Sequence, residues 1–168
     1  MRYRAALFAV PLLASLTLFG CEKQLTKLKQ MIPQPTRCPD QIPDQAAGTD
    51  TPRNALGCFK KAVDDKNAEL FLRVTCRSKT ASGCKQPPGS EKEAAGIVTD
   101  LNKKKLGGIV AQWEENPKTT VYAVDHDAND KRVTLISVCQ IALENRWAVC
   151  AVEEGSREAA EKREAAQK

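Results

Sequence analysis

Seven cysteines restrict what this chain of 168 residues can fold into more than any other feature. Six of them lie between residues 38 and 150, and an even set of this kind forms a disulfide framework in an oxidising compartment, with fifteen formal connectivities. No two have the CxxC spacing and there is one histidine, so the sequence offers no zinc site, redox pair or haem attachment motif. We therefore predict a domain held by structural disulfides, with no metal and no cofactor. The candidates are Cys38, Cys58, Cys76, Cys84, Cys139 and Cys150.

The N-terminus has the features of a secretory signal. Two arginines in the first four residues precede a run from Ala5 to Gly20 that has no charged residue. This run of 16 residues is shorter than the roughly 20 that a helix needs to span a bilayer, and it contains Pro11, which disfavours an ordinary helix. A basic head, a short apolar body and a small residue before a cleavage site are typical of a signal peptide, here residues 1–20.

The end of this run, Leu18-Phe19-Gly20-Cys21, resembles the lipobox of bacterial lipoproteins, with Phe19 where a small residue is usual. The resemblance implies cleavage before Cys21 and a lipid, detectable as palmitate, that holds the mature chain in a membrane. The cysteine count agrees, because using one of seven cysteines for lipid leaves six that can pair. Glu22, rather than an aspartate, implies the outer membrane, facing the periplasm. A plain signal peptide with a chance cysteine and an uncleaved anchor helix are the alternatives.

Composition argues against nucleic acid as a partner. Removing residues 1–20 takes away two of the 26 basic residues and none of the 21 acidic ones, which leaves a net charge of only +3. Aromatic residues make up 5% of the chain, too few for a platform on which bases stack. No second apolar run is long enough for a membrane span.

Residues 21–50 are predicted to be a membrane-proximal flexible tether, because four prolines between residues 33 and 43 prevent a long helix. Apolar residues alternate with lysines at near-helical spacing between residues 23 and 32. That pattern fits either an amphipathic turn on anionic headgroups or an unstructured basic linker. We expect Cys38 to tie the end of the tether to the domain.

Three helices are predicted next. Thr51-Pro52 is a good helix start, and a short second helix follows with Leu70, Phe71 and Val74 on its apolar face. Ser90 and Glu93 form a capping box that opens a third helix, which runs to the lysines at 103–105. After Gly107-Gly108 an apolar pattern resumes at residues 109–113 and stops at Pro117.

The last third is strand-like over residues 119–124, 132–143 and 147–152. If Glu144-Asn145 is a two-residue hairpin loop, Cys139 and Cys150 lie directly opposite each other and are placed to form a disulfide. A disulfide between Cys76 and Cys84 would close a polar loop, for which chain entropy predicts about 2.5 kcal/mol of stabilisation. We predict a domain over residues 51–153 and a charged tail over residues 154–168, which would form a solvated helix or fray and has no core-facing stripe.

Two segments resemble small exported members of the nuclear-transport-factor-two-like superfamily. They are residues 51–67, with the pattern of proline, apolar pair, phenylalanine, alanine and charged turn, and residues 145–149, with the pattern of turn, tryptophan and valine. The resemblance implies an α+β fold in which N-terminal helices pack on a curved antiparallel sheet to form a cone. It also implies one of two roles for the cone, either binding alone or acid–base catalysis of the isomerase and dehydratase type.

No catalytic residue stands out. His126 lies beside a turn and is predicted to be exposed, and no partner is identified for Tyr122. Asp125, Asp127 and Asn129 have the spacing of the first half of a calcium loop. The required glycine and glutamate are replaced by Asp130 and Ile136, so we interpret the segment as turn residues. We favour a non-enzymatic, lipid-anchored envelope protein that binds a periplasmic partner or a small apolar ligand, with an isomerase-like or dehydratase-like enzyme as the alternative.

Overall fold

The structure, a computed structural model, describes Cys38 and residues 49–76, 84–85, 88–126, 130–141 and 146–168. These residues have an α+β fold of helices and one antiparallel sheet. No helix among them is long and apolar enough to cross a membrane. Helices α1 (Pro52–Asp64), α2 (Ala68–Val74) and α3 (Glu91–Lys103) are followed by strands β1 (Ile109–Asn116), β2 (Thr119–Asp125), β3 (Arg132–Ile141) and β4 (Arg146–Ser156), and then by helix α4 (Arg157–Ala165).

The starts of the first three helices are fixed by side-chain caps. The hydroxyl oxygens of Thr51 and Ser90 each accept a hydrogen bond from the backbone N–H three residues on, at 3.1 and 3.2 Å, as the sequence predicts. Asn67 caps α2 in the same way at 2.9 Å. The Glu93 carboxylate accepts from the N–H of Gly89 at 2.7 Å, so it satisfies the amide one residue before the capping residue.

The C-termini of α1 and α3 share an unusual feature. Each helix is followed by a lysine in the left-handed region, Lys66 with φ 52° and Lys105 with φ 51°, where glycine is normally preferred. At the end of α1 the N–H of Asn67 donates to the carbonyl of Ala62 at 2.8 Å, and that of Lys66 to Val63 at 3.2 Å, which is a Schellman motif. The N–H of Lys105 makes the corresponding bond at the end of α3, at 3.1 Å.

The sheet has the strand order β1-β2-β3-β4, and each neighbouring pair is antiparallel. Strand β1 is an addition to the three strands predicted from the sequence. Its Trp113 lies opposite Val121, and Pro117 and Lys118 make the tight turn that joins it to β2. The burial of β1 alternates only at Ala111 and Trp113, which is a weak strand signal.

The prediction that Cys139 and Cys150 lie directly opposite each other is wrong, although the disulfide between them is present. Cys139 pairs with Ala148, because Ile141 pairs with Arg146 and the β3–β4 connection is therefore centred one residue earlier than predicted, between 143 and 144. The register shifts between residues 137 and 138, and Cys150 is the extra residue of a β-bulge in β4. The bulge brings the two Cα atoms to 5.8 Å, within the range for a disulfide.

The first three helices and one face of the sheet share the main apolar core. Phe59 of α1, fully buried, meets Phe71 of α2 with ring centroids 5.4 Å apart. Ile136 and Val138 of β3 belong to the same cluster, and so does Val149 of β4. The amphipathic faces predicted for the helices therefore cover this side of the sheet.

The other face of the sheet is partly covered by α4, which corrects the prediction of a solvated charged tail. Ala160 is buried in a cluster with residues of β1, β2 and β3, and the Arg163 guanidinium lies 5.6 Å from the centre of the Trp113 ring. The Gln167 amide accepts from the N–H of Glu114 and donates to its carbonyl, at 2.9 and 2.7 Å. The first residues of the predicted tail, 154–156, belong to β4.

Three disulfides join the described cysteines. They are Cys38–Cys58, Cys76–Cys84 and Cys139–Cys150, with Cα–Cα distances of 4.3, 6.1 and 5.8 Å. The first connects Cys38 to α1, so Cys38 is joined to the domain as predicted. The other two pack together in one buried cluster with Ala148.

The left-handed lysines give a testable prediction. Lys66→Gly and Lys105→Gly are each expected to raise the free energy of unfolding by about 0.5–1 kcal/mol, because glycine adopts positive φ without strain. Lys61→Gly, in the last turn of α1, is the control and should lower it by about 1 kcal/mol. Denaturant unfolding at equilibrium measures all three, and a loss of stability in both left-handed variants would contradict the assignment.

Candidate binding cleft

A cleft of about 430 Å³ lies between α2, α3 and the outer strand β4. This volume is in the range of sites that bind small molecules. Residues of five separate chain segments form its walls, and two of the segments end at the Cys76–Cys84 disulfide. The lining comprises Phe71, Thr75, Cys76, Lys85, Pro88, Ile97, Asp100, Leu101, Lys104, Thr134 and residues 149–154.

The floor of the cleft is apolar. Phe71 and Val149 are each 3% exposed and Leu101 is 7% exposed, so they belong to both the core and the cleft. Ile97 is half-buried. Val152 is the one large hydrophobic residue in the described part of the chain that counts as exposed, at 36%. The floor therefore offers apolar surface to a ligand without opening the core.

Ion pairs form the rim. Lys85 Nζ lies 2.7 Å from a carboxylate oxygen of Glu153, and Lys104 Nζ lies 2.6 Å from one of Glu154, so both walls are linked to β4. The hydrogen bond from Lys104 holds the pKa of Glu154 below its usual range. The bond from Lys103 does the same for the pKa of Asp100. These carboxylates are ionised at neutral pH.

The outer edge of β4 is covered up to the bulge by other parts of the chain. Thr49 pairs with Trp147 through two backbone hydrogen bonds of 2.8 and 2.7 Å. The N–H of Cys76 then donates to the carbonyl of Val149 at 2.9 Å. The N–H of Lys85 donates to the carbonyl of Cys150 at 3.1 Å. The bulge makes two successive carbonyls of β4 available to these outside segments.

Beyond the bulge the register determines which backbone groups face outward. Arg157, just after β4, donates its N–H to the carbonyl of Lys131 at 2.8 Å, so its backbone faces the β3 side. In an antiparallel pair, successive residues of an edge strand alternate between facing the partner strand and facing outward. Val152 and Glu154 occupy the outward positions and direct their N–H and C=O groups away from β3. Both residues line the cleft. The cleft therefore combines an apolar floor, a charged rim and a stretch of strand edge.

His126 is not the exposed histidine that the sequence predicts. Its side chain is only 14% exposed, and Nε2 lies 2.6 Å from the hydroxyl of Thr134, a buried residue of the cleft wall. Its Nδ1 lies 3.9 Å from Asp130. His126 therefore does not line the cleft, but it contacts Thr134, which does.

The segment with partial calcium-loop spacing has turn chemistry where it is described. The Asp130 carboxylate accepts from the backbone N–H of Arg132 at 2.9 Å, and this bond lowers the pKa of Asp130. Ile136, at the position of the missing glutamate, is fully buried in β3. Asp127 and Asn129 lie outside the described residues. Within the described ranges no three acidic, histidine or cysteine residues are grouped to hold a metal.

Tyr122 belongs to the core and not to the cleft. It is 2% exposed, and burial raises its pKa to about 12, so the phenol stays neutral. Gln112, its partner on β1, accepts a hydrogen bond from Arg53 at 2.9 Å. The arrangement is that of a structural aromatic residue.

A smaller hollow of about 170 Å³ lies on the opposite face of the sheet. Trp113, Val121 and Leu135 contribute its apolar part, and Arg163 borders it from α4. Its small volume and polar border make it a weaker candidate than the cleft.

The predicted site residues fall into two groups. The predicted lipidation site, Cys21, lies outside the described residues. The six candidate disulfide cysteines are all paired, and Cys76 and Cys150 also line the cleft. Sequence reasoning missed the rim, because Glu153-Glu154 follow a strand without a motif and their lysine partners are distant in the chain.

In comparisons with known proteins, the chain matches no family model, no curated protein and no solved structure. The cleft must therefore be interpreted from its own geometry.

Proposed function

We propose that this chain is a lipid-anchored protein of the bacterial cell envelope, held through Cys21 in the outer membrane and facing the periplasm. One observation carries the proposal. The six cysteines from Cys38 to Cys150 pair completely among themselves, which leaves Cys21 as the only thiol of the seven without a disulfide role. An oxidising compartment, which the disulfides need, is also the compartment to which a signal peptide at residues 1–20 would direct the chain.

We further propose that the domain is a specialised member of the nuclear-transport-factor-two-like superfamily, with helices and sheet arranged as a cone. The chain order of three helices followed by antiparallel strands supports this relationship. Strand β1 brings the sheet to four strands.

The domain would act by binding rather than by catalysis, and the cleft would hold an amphipathic ligand. Phe71, Ile97 and Val152 offer apolar contact, while the lysine–carboxylate pairs of the rim suit the polar end of such a ligand. The space of about 430 Å³ suits a small molecule. Alternatively, the cleft would bind a periplasmic protein that inserts one apolar side chain into it.

The chemistry of the cleft disfavours the enzyme alternative. A general acid or base works best with a pKa near the operating pH, but the carboxyl groups of Asp100 and Glu154 have lowered pKa values. The cysteines of the wall are in disulfides and are not nucleophiles. His126 lies behind Thr134, outside the lining.

The anchor is tested by Cys21→Ala. Loss of the thiol should abolish palmitate labelling and release the protein from the membrane fraction. Phe19→Ala, which leaves the thiol in place and restores a small residue at that position, is the control and should be labelled at least as well as the original chain. Labelling that persists in Cys21→Ala would contradict the proposal.

The cleft is tested with 1-anilinonaphthalene-8-sulfonate, an amphipathic fluorescent probe, added to the folded full chain. Val152→Gln should weaken probe binding about fivefold, because an apolar contact of about 1 kcal/mol is lost. Val110→Gln on the far strand β1 is the matched control and should bind normally. Equal binding by the Val152 variant and the original chain would contradict the assignment of the cleft.

A further inference from the structure

We propose that the end of the domain where α1 and α3 terminate lies on the surface of an anionic phospholipid bilayer, a proposal that rests on the lipid anchor. The two helix ends are side by side. Asn102, in the last turn of α3, donates from its side-chain amide to the carbonyls of Val63 and Asp64 in the last turn of α1, at 3.0 and 3.4 Å. We call this surface the helix-end surface.

Two exposed lysines of the helix-end surface occupy positions that favour glycine. Lys66 and Lys105 both have left-handed φ angles and follow the two neighbouring helices. A non-glycine residue in this conformation costs roughly 1 kcal/mol. If only stability mattered, glycine would be preferred at both positions. A function that needs two positive charges on this surface explains why lysines are there instead. The negative ends of the helix dipoles also favour cations here.

The surrounding charges leave the helix-end surface positive. The carboxylates of Asp65, Asp100 and Glu154 each pair with one lysine, so those pairs cancel. Lys60 donates to the carbonyl of Gly107, which carries no charge to offset that of the lysine. Asp125, beside Gly107, pairs with Arg157 at 3.6 Å. The carboxylate of Asp64 offsets only one of the three cations Lys60, Lys66 and Lys105.

The tether keeps the domain, and this surface with it, within reach of the bilayer. The Cys38–Cys58 disulfide joins the tether to α1, and Cys58 lies six residues before the end of the helix. Cys58 is the middle residue of α1, so at 1.5 Å per residue the attachment point is about 9 Å from either end along the helix axis. Only 17 residues separate Cys38 from Cys21, so an anchored domain cannot move more than about 60 Å from the lipid.

A domain held this close needs only a weak attraction to bind to the membrane surface. The tether raises the effective concentration of the surface at the bilayer, and each lysine near an anionic leaflet contributes about 1 kcal/mol, or roughly fivefold in the docked-to-free ratio. The contribution is screened beyond about 8 Å at physiological ionic strength. The docked state is therefore expected to depend on both anionic lipid and low salt.

The test uses the full lipidated chain in vesicles of phosphatidylcholine with one quarter phosphatidylglycerol and a trace of dansyl lipid. Energy transfer from the two tryptophans reports docking. Lys66→Gly/Lys105→Gly should lower the docked-to-free ratio about 25-fold, at two factors of five, although the variant is more stable. Lys66→Arg/Lys105→Arg keeps both charges and should dock normally. Lys118→Gly/Lys131→Gly removes two exposed lysines from turns of the sheet and is the matched control.

Equal docking by the Lys66→Gly/Lys105→Gly variant and the original chain would overturn the inference, and so would equal docking on vesicles of phosphatidylcholine alone. Failure of the anchor is distinguishable, since it appears as absent palmitate labelling at Cys21. In that case flotation of the unlipidated full chain with anionic vesicles, compared with the same variants, still tests the lysines. Flotation that does not depend on them overturns the inference.

Discussion

The structure depends on how the outer edge of β4 is covered. An open strand edge exposes unpaired N–H and C=O groups, and proteins cover such edges or block them. Here the bulge at Cys150 turns an additional carbonyl outward, so Cys76 and Lys85 both find acceptors on β4. The Cys76–Cys84 disulfide holds these two donors together, and Cys139–Cys150 holds the bulge to β3. The two disulfides therefore hold in place the segments and the bulge that cover the edge of β4.

The position of the cleft follows from the way the edge of β4 is covered. Among the described residues, the last of these covering contacts is that of Lys85 with Cys150, and the outward backbone groups that come next belong to Val152 and Glu154. The C-terminal end of α3 meets the same stretch through the pair of Lys104 and Glu154. An apolar floor with an ionised rim remains between them. That combination suits recognition of an amphipathic ligand, and the pKa values of its carboxyl groups at Asp100 and Glu154 are lowered, away from the range that suits proton transfer.

Local signals in the sequence predicted much of the fold. Thr51 and Ser90 are caps because a hydroxyl before an apolar run satisfies free helix N–H groups, whatever the rest of the chain does. The disulfide between Cys139 and Cys150 was also predictable, but its register was not, because a bulge has no reliable sequence signal. Strand β1 and the packing of helix α4 on the sheet were missed, since each contributes only one or two small or aromatic residues to the core, such as Ala160.

The candidate site was less accessible to sequence reasoning than the fold. Its floor consists of residues such as Phe71 and Leu101 that also serve the core, so their pattern does not distinguish the two roles. Lys85 and Glu153 are 68 residues apart in sequence, so no local pattern indicates that they pair. The left-handed conformation of Lys66 and Lys105 was not predictable either, because glycine is the residue expected at that position after the end of a helix.

Hydrogen exchange of individual backbone amides tests the central claim, that Cys76 and Lys85 close the edge of β4. In the oxidised full chain the amides of both residues should exchange as slowly as that of Trp147, which donates to Thr49 on the same edge. In the Cys76→Ser/Cys84→Ser variant both should lose protection, while amides between β3 and β4 keep theirs. Exchange of Cys76 and Lys85 at the rate of an unstructured peptide in the oxidised chain would contradict the account.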